Sequence, residues 1–312
     1  MNVAVIYGGK SKEREVSIKS GKGVASALRS KGCNVKEIDF VSKDFIHELK
    51  DIDVVFLALH GRYGEDGKIQ GLLDILEIPY VGSGVLASAL AMDKARAKRI
   101  FDHAGIRTAK DIVLTREQFI DIKRIEEEIG YPLVVKPNQE GSTIGLSIVK
   151  KREDLTKALE EAFLYDTEIL IEEFIDGTEV TVAILETEQN IEALPIIEIV
   201  PNKNSYYDYE SKYSVGGSEH IIPARIDKNV ENMIKKWAVA AHQALGCSTL
   251  SRVDFIIPKD KSLPVILEVN TLPGMTETSL YPDAAKAIGL SYEDMVYRLV
   301  EITLHRFTKQ NK

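Results

Sequence analysis

Cysteine is nearly absent. Cys33 and Cys247 are the only two in 312 residues, far apart and in no metal-binding spacing. They fit a reducing cytosol and two inert thiols rather than a disulfide framework or a zinc site. Long apolar runs are absent too. The longest, Val54 to Leu59, suits a buried strand and falls far short of the roughly 20 residues that cross a bilayer. The chain runs at once into Val3-Ala4-Val5-Ile6-Tyr7, without a basic segment and apolar signal core, so no leader peptide is expected. Lys and Arg are not clustered, and 40 of them against 48 Asp and Glu leave a net charge of −8. That balance is a poor electrostatic match for nucleic acid. It does not exclude phosphate ligands, because one pocket needs only a few cations. No internal repeat and no low-complexity stretch is found.

What is present is a soluble-protein composition, 44% apolar and 28% charged. At about 150 residues per domain the length suggests two domains, or three small ones. Such a chain buries roughly three quarters of its unfolded surface without staples. Trp237 and the methionines sit in helical apolar patterns and are expected in the core.

Periodicity alternates between strand and helix from the start. Val3–Tyr7 reads as a strand, Val16–Ser30 as a helix, and Val35–Phe40 and Val54–Leu59 as further strands. Leu72, Leu73, Leu76 and Ile78 follow a helical face. This alternation implies an open, doubly wound parallel sheet, whose ligands lie beyond the carboxyl ends of its strands. Glu13, His60 and nearby glycines sit at such ends. A second unit starts near Asp93, which can cap a helix through Phe101. Strands at Leu133–Lys136 and Leu146–Val149 flank the loop Pro137–Gly145, and a helix near Asp154–Tyr165 and strand Glu168–Phe174 follow. The remainder is strand-rich (Val180–Leu185, Ile196–Val200, Arg252–Ile257, Val265–Val269), with helices at Val230–Leu245 and Tyr292–Thr308. Lys203–Gly217 is polar and Tyr-rich, and reads as a long surface loop.

Two nucleotide motifs fail. Gly9-Lys10-Ser11 resembles the end of a P-loop, but the required earlier glycine is Ala4. Gly82-Ser83-Gly84-Val85-Leu86-Ala87 fits the loose dinucleotide pattern, yet it lies outside the first βα unit, and a tight turn into a helix explains it.

The most informative pattern lies near the C-terminus. Arg252–Ile257 and Val265–Asn270 flank a short turn and read as a hairpin. A turn centred on Lys261 pairs Asp254 with Glu268, Arg252 with Asn270, Val253 with Val269 and Phe255 with Leu267. Side chains alternate faces, so Arg252, Asp254, Glu268 and Asn270 share one face, and Val253, Phe255, Leu267 and Val269 the other. Opposed carboxylates repel and need a cation. Arg252 can supply it as a salt bridge. Alternatively, two carboxylates and an amide oxygen suit Mg²⁺, leaving Arg252 for substrate.

Other segments are weaker alone. Lys136 precedes Asn138-Gln139-Glu140-Gly141-Ser142-Thr143-Ile144-Gly145, a loop able to hold phosphate or close as a lid, or a plain hairpin loop. Ile169–Phe174 is an apolar strand with acids at its end. Gly274 allows close backbone approach to a ligand. His60 has no serine or cysteine nucleophile to join it.

Together these segments resemble the D-alanine–D-alanine ligases of the ATP-grasp superfamily. The resemblance covers nearly the whole chain. It rests on Glu13-Arg14-Glu15-Val16-Ser17, His60-Gly61, Gly64-Glu65-Asp66-Gly67, Gln70–Leu73, and Gly82–Ala91 running into Met92-Asp93-Lys94. It continues through Lys136-Pro137, Glu140-Gly141-Ser142, Tyr207–Tyr213, Pro223-Ala224 and Arg252-Val253-Asp254, and ends at Glu268–Thr271 and Pro273–Thr276.

The resemblance implies a doubly wound N-terminal domain (1–92), a small central ATP-grasp domain (93–178) and a C-terminal ATP-grasp domain (179–312), with ATP between the last two. It implies that Lys94 and Lys136 contact ATP phosphates, that Glu172 and Glu179 meet the adenine and ribose ends, and that Asp254, Glu268 and Asn270 hold two Mg²⁺ or Mn²⁺ ions. ATP would phosphorylate one D-alanine, and the amine of a second D-alanine would attack the acyl phosphate, making D-alanyl-D-alanine for peptidoglycan. Arg252 and the Gly274 N–H would stabilise the oxyanion. Glu13 and His60 would lie at the first substrate, and Ser279 and Leu280 at the second substrate's carboxylate. Ser142, Tyr213 and Glu13 would form a hydrogen-bonded group, and Lys212 would reach the γ-phosphate. Tyr213 favours an amine over D-lactate as second substrate. A cytoplasmic homodimer joined through the N-terminal domain is implied. Ser251, and Asn138-Gln139 where a basic residue is common, depart from the family pattern. The alternatives are a D-alanine–D-lactate or other ATP-grasp carboxylate–amine ligase, and a non-catalytic nucleotide-binding protein.

Overall fold

The computed structural model describes residues 1–118, 120–187, 189–201, 217–260 and 262–310. Three sheets organise it. The first is parallel: β1 (Asn2–Tyr7), β2 (Asn34–Asp39), β3 (Val54–Leu57) and β4 (Tyr80–Val81), in the order β2-β1-β3-β4. Val3 to Ile6 are all buried because alternate side chains feed two cores. Val3, Val5 and Phe56 pack with Val24 and Leu28 of α1 (Arg14–Ser30). Ala4, Ile6 and Leu57 pack with Phe45, and with Ile69 and Leu73 of α2 (Lys68–Ile75). That two-sided burial is why these strands read as unbroken apolar runs. The Gly82–Ala87 motif is a turn into α3 (Val85–Met92).

α4 (Lys94–His103) follows, with the Asp93 carboxylate accepting from the Arg96 N–H at its start. The second sheet is antiparallel: β5 (Asp111–Thr115), β6 (Leu133–Pro137), β7 (Ser147–Val149) and β8 (Glu168–Glu173), in the order β5-β8-β6-β7. Helices α5 (Ile122–Glu128) and α6 (Arg152–Phe163) share its core. β5 and α5 are too short to show a period in the sequence.

The third sheet contains β9 (Gly177–Glu186), β10 (Ile191–Ala193), β11 (Ile197–Pro201), β12 (Ser218–Ile221), β13 (Leu250–Pro258) and β14 (Val265–Asn270). Its order is β12-β11-β9-β13-β14, with β10 on β9. α7 (Lys228–Leu245) is capped by Asp227 and ends on Gly246, whose φ of 72° is left-handed. α8 (Leu280–Ala287) and α9 (Tyr292–Gln310) return to the first sheet, where Tyr281, Met295 and Leu299 join the Val3 core.

The hairpin forms with most of the expected register. Arg252 pairs with Asn270, Val253 with Val269 and Asp254 with Glu268. Phe255 pairs with Ile266, not Leu267, because the register slips between Asp254 and Phe255. Leu267 is the extra residue of a bulge. It therefore leaves the core face and lines a cleft beside Glu268. Most of the Lys203–Gly217 loop lies outside the described residues.

Candidate active site

The second and third sheets face each other across a cleft. Lys94 starts α4 and Lys136 is the penultimate residue of β6, both reaching it with Glu172 of β8 and Glu179 of β9. Its walls are apolar, from Val134, Ile144, Ile148, Ile256 and Leu267. Glu172 is buried and its Oε2 lies 2.5 Å from the Lys136 ammonium. Burial raises the Glu172 pKa, but Lys136 and Lys98 outweigh it and hold the carboxyl at about 2. Lys94 donates to the Glu140 carbonyl at 2.7 Å and lies 3.6 Å from Glu268 Oε2.

A second cavity of about 690 Å³ adjoins the cleft. Glu13, His60, Arg252, Asn270, Gly274, Ser279 and Leu280 line it, and Ser142 and Glu268 belong to both spaces. Every described residue that the resemblance gives a role in the site thus borders one of these two spaces, which share Gly141, Ser142 and Glu268. Tyr213 and Lys212 lie outside the described residues. A cavity of about 750 Å³ around Tyr80 and Arg306 contains none of these residues, so size alone does not mark the site.

The Ser142 hydroxyl donates to Glu13 Oε1, which ties the Gly141–Gly145 loop to the first sheet's unit. Ser142 and Thr143 have φ of 50° and 64°, a left-handed pair that costs conformational energy and marks a constrained loop. A Cβ on Gly141 would come 3.3 Å from Glu13 Oε2, so glycine permits this approach. Arg62 braces the same junction, pairing with Glu140 at 2.8 Å and donating to the Tyr165 carbonyl at 2.7 Å. His60 is buried, and its Nε2 has no hydrogen-bond partner among the described residues. Burial pushes its imidazole below the ordinary pKa.

Asp254 is the centre of the hairpin face. It accepts two bonds from Arg252, at 2.9 and 2.7 Å, one from Thr181 at 2.5 Å and one from the Asn270 amide at 3.0 Å. Both readings of this face remain compatible with the geometry. Arg252 does form the salt bridge, and the opposed carboxylates and Asn270 still offer hard oxygen ligands. Among the described residues no cluster of three or more His, Cys, Asp and Glu forms a metal site, so a cation here would rely on Asn270. The donor set fits Mg²⁺ or Mn²⁺, with the Asn270 oxygen turned inward. At α8, the Ser279 hydroxyl interacts with Thr276 rather than capping the helix. The adjacent N–H groups at that helix start favour an anion.

Several residues have no role in the sequence reading. Half-buried Glu65 lines the second cavity, accepts from the Gly61 N–H at 2.7 Å, and is raised to about 8 by desolvation and by Glu13. Asn138 is fully buried, accepts from the Ala95 N–H at 2.8 Å and donates to Asp93 and Glu168. With Gln139 it stands where a basic residue is common in the resembled family, and it clamps the start of α4. His220 pairs with Asp283 at 2.7 Å on the cavity wall. Each sits beside a polar neighbour in the sequence, so no local pattern marks it.

A parallel-sheet unit followed by two antiparallel sheets that enclose a lysine- and carboxylate-lined cleft defines an ATP-grasp protein. The comparisons narrow this. The family described as D-ala D-ala ligase C-terminus matches residues 100–301, and D-ala D-ala ligase N-terminus matches residues 36–83. The D-alanine–D-alanine ligase of Halalkalibacterium halodurans is 58% identical over 308 residues, covering 98% of this chain and 100% of the relative. That of Pelotomaculum thermopropionicum is 51% identical, covering 97% of each. The crystal structure of the Bacillus anthracis D-alanine–D-alanine ligase complexed with ATP superposes with a TM-score of 0.87 at 35% identity, covering 99% of each chain. The VanG D-Ala:D-Ser ligase from Enterococcus faecalis gives 0.83 at 33%, covering 97% of this chain and 99% of that one. The chain belongs to the D-alanine–D-alanine ligase family.

No described helix is long and apolar enough to cross a membrane.

Proposed function

We propose that this chain joins two D-alanines to D-alanyl-D-alanine, using ATP and passing through D-alanyl phosphate, in the cytoplasmic supply of peptidoglycan precursors. One observation carries the reading. A cleft with two lysines and an apolar wall opens at Ser142 and Glu268 into a cavity whose charges suit an amino acid. Membership of the family supports the same reaction.

In this reading the three units are 1–92, 93–178 and 179–312. ATP lies in the cleft, its base and ribose toward Glu172 and Glu179 and its phosphates toward Lys94, Lys136 and Ser142, with Lys212 assigned to the γ-phosphate by the family resemblance alone. Asp254, Glu268 and Asn270 would hold Mg²⁺ or Mn²⁺, which supplies Lewis-acid neutralisation of phosphoryl charge. Glu13 receives the first D-alanine's ammonium beside His60, and Arg252 turns from Asp254 toward its carboxylate. A carboxylate oxygen attacks the γ-phosphorus, and ADP leaves. Ser279 and Leu280, at the α8 N-terminus, receive the second D-alanine's carboxylate. Its free amine attacks the acyl carbon, the oxyanion meets Arg252 and the Gly274 N–H, and phosphate leaves. Such donors typically contribute about 100- to 1,000-fold each. Tyr213, with Ser142 and Glu13, favours an amine as second substrate. Exposed Ile75 and Leu86 on α2 and α3, 81% and 70% accessible, support a homodimer formed through the first unit.

The experiment is a product assay with Mg²⁺, ATP and an equal mixture of D-alanine, D-lactate and D-serine. D-alanyl-D-alanine should dominate, with one ADP per product. A depsipeptide or D-alanyl-D-serine as main product would overturn the specificity, and absence of ADP would overturn the reaction.

A further inference from the structure

Lys98 does not line the cleft, yet it is among the most buried charges in the described structure, at 2% exposure. It lies one helical turn after Lys94 on α4. Its ammonium donates to Glu172 Oε1 at 2.5 Å and to the Ala109 carbonyl at 2.8 Å, and lies 3.5 Å from Asp111 Oδ1. Asp111 sits opposite Glu172 in the β5–β8 ladder and is itself paired with Arg99. The second oxygen of Glu172 meets Lys136 at 2.5 Å. Two ammoniums therefore share one carboxylate, Lys98 from the interior and Lys136 from the cleft.

A ligand acts on these two lysines differently. Lys136 borders the open cleft, so a polyphosphate can draw it away from Glu172. Lys98 cannot follow, because its helix and the Ala109 carbonyl hold it. If Lys98 were neutral, Lys136 would be the only counter-ion of this buried carboxylate among the described residues, and phosphates would have to compete for it. We infer that Lys98 is a positioning residue that fixes the Glu172 carboxylate as acceptor for the exocyclic amine of a purine and frees Lys136 for the phosphates. It thereby sets the preference for adenine. This rests on the proposed placement of the nucleobase beside Glu172.

The test compares ATP with ITP, in which a carbonyl replaces that amine, at saturating D-alanine. Wild type should prefer ATP by about tenfold or more in kcat/KM, the usual worth of a buried charge-assisted hydrogen bond. Lys98→Met should raise the KM for ATP about tenfold, change kcat by no more than about threefold, and shrink the preference for ATP over ITP toward one. Lys98→Gln removes the charge but keeps an N–H donor for Ala109. It should show the same trend, and it carries the test if the methionine variant does not fold. No ATP preference in wild type would overturn the nucleobase placement itself. A wild-type preference that persists undiminished in the folded variants, whatever their Tm, would overturn the role of Lys98 and leave the nucleobase placement standing.

Discussion

At the scale of single residues, Glu172 ties stability to pH. Burial raises its pKa, but Lys136 and Lys98 reverse that and lower it from the ordinary 4.5 to about 2. A carboxyl with a depressed folded pKa stabilises the fold above its unfolded pKa. That contribution is lost as pH falls from about 4.5 toward 2, and it is on the order of 3 kcal/mol. Thermal melts between pH 5 and pH 2 should show a steeper acid loss of Tm for wild type than for Glu172→Gln. Parallel curves would contradict the ion-pair account. Glu268 gives a second prediction. Glu268→Ala removes one of the opposed carboxylates at the hairpin, so it should abolish turnover while leaving the circular dichroism spectrum and Tm near wild type. Full activity would remove the metal assignment. The carboxylates of this face were legible in the sequence because strand alternation is simple. Lys98 was not, because a lysine in a helix reads as solvated until the fold encloses it.

At the scale of elements, the hairpin shows where pattern reading succeeds and stops. Counting from the turn pairs Arg252, Val253 and Asp254 with the partners they have. The count fails at Phe255, where the bulge at Leu267 adds a residue on one side only. Alternation cannot reveal a bulge, since both registers keep an apolar residue at each position. α4 offers the element-scale prediction. Its start is held by Asn138, whose amide satisfies the Ala95 N–H and two carboxylates. Asn138→Ala should cost on the order of 2 kcal/mol, because it leaves the buried Ala95 N–H unpaired, while Asp93 and Glu168 keep their bonds to Arg96. It should also raise the KM for ATP several-fold by loosening Lys94, with a smaller effect on the KM for D-alanine. Denaturation and steady-state kinetics check both. Equal changes in the two KM values would mean that Asn138 does not act through α4.

At the scale of the whole molecule, the order of the sheets was legible and their mutual packing was not. The βα alternation of the first unit and the strand-rich end are periodic signals, and both appear where expected. What no local pattern encodes is that α8 and α9 return to the first sheet, placing Tyr281 and Leu299 beside Val3. That return helps bring Ser279 and Glu13 to one cavity, across a separation of most of the chain. The adjoining cleft and cavity are the basis for the proposed reaction, in which the γ-phosphoryl group of ATP leaves as phosphate carrying one oxygen from a D-alanine carboxylate. The most direct measurement uses D-alanine carrying ¹⁸O in its carboxylate, with ATP and Mg²⁺, and mass analysis of the released phosphate. Transfer of one ¹⁸O into phosphate for each dipeptide formed is the predicted result. Unlabelled phosphate accompanying dipeptide would contradict the acyl phosphate route.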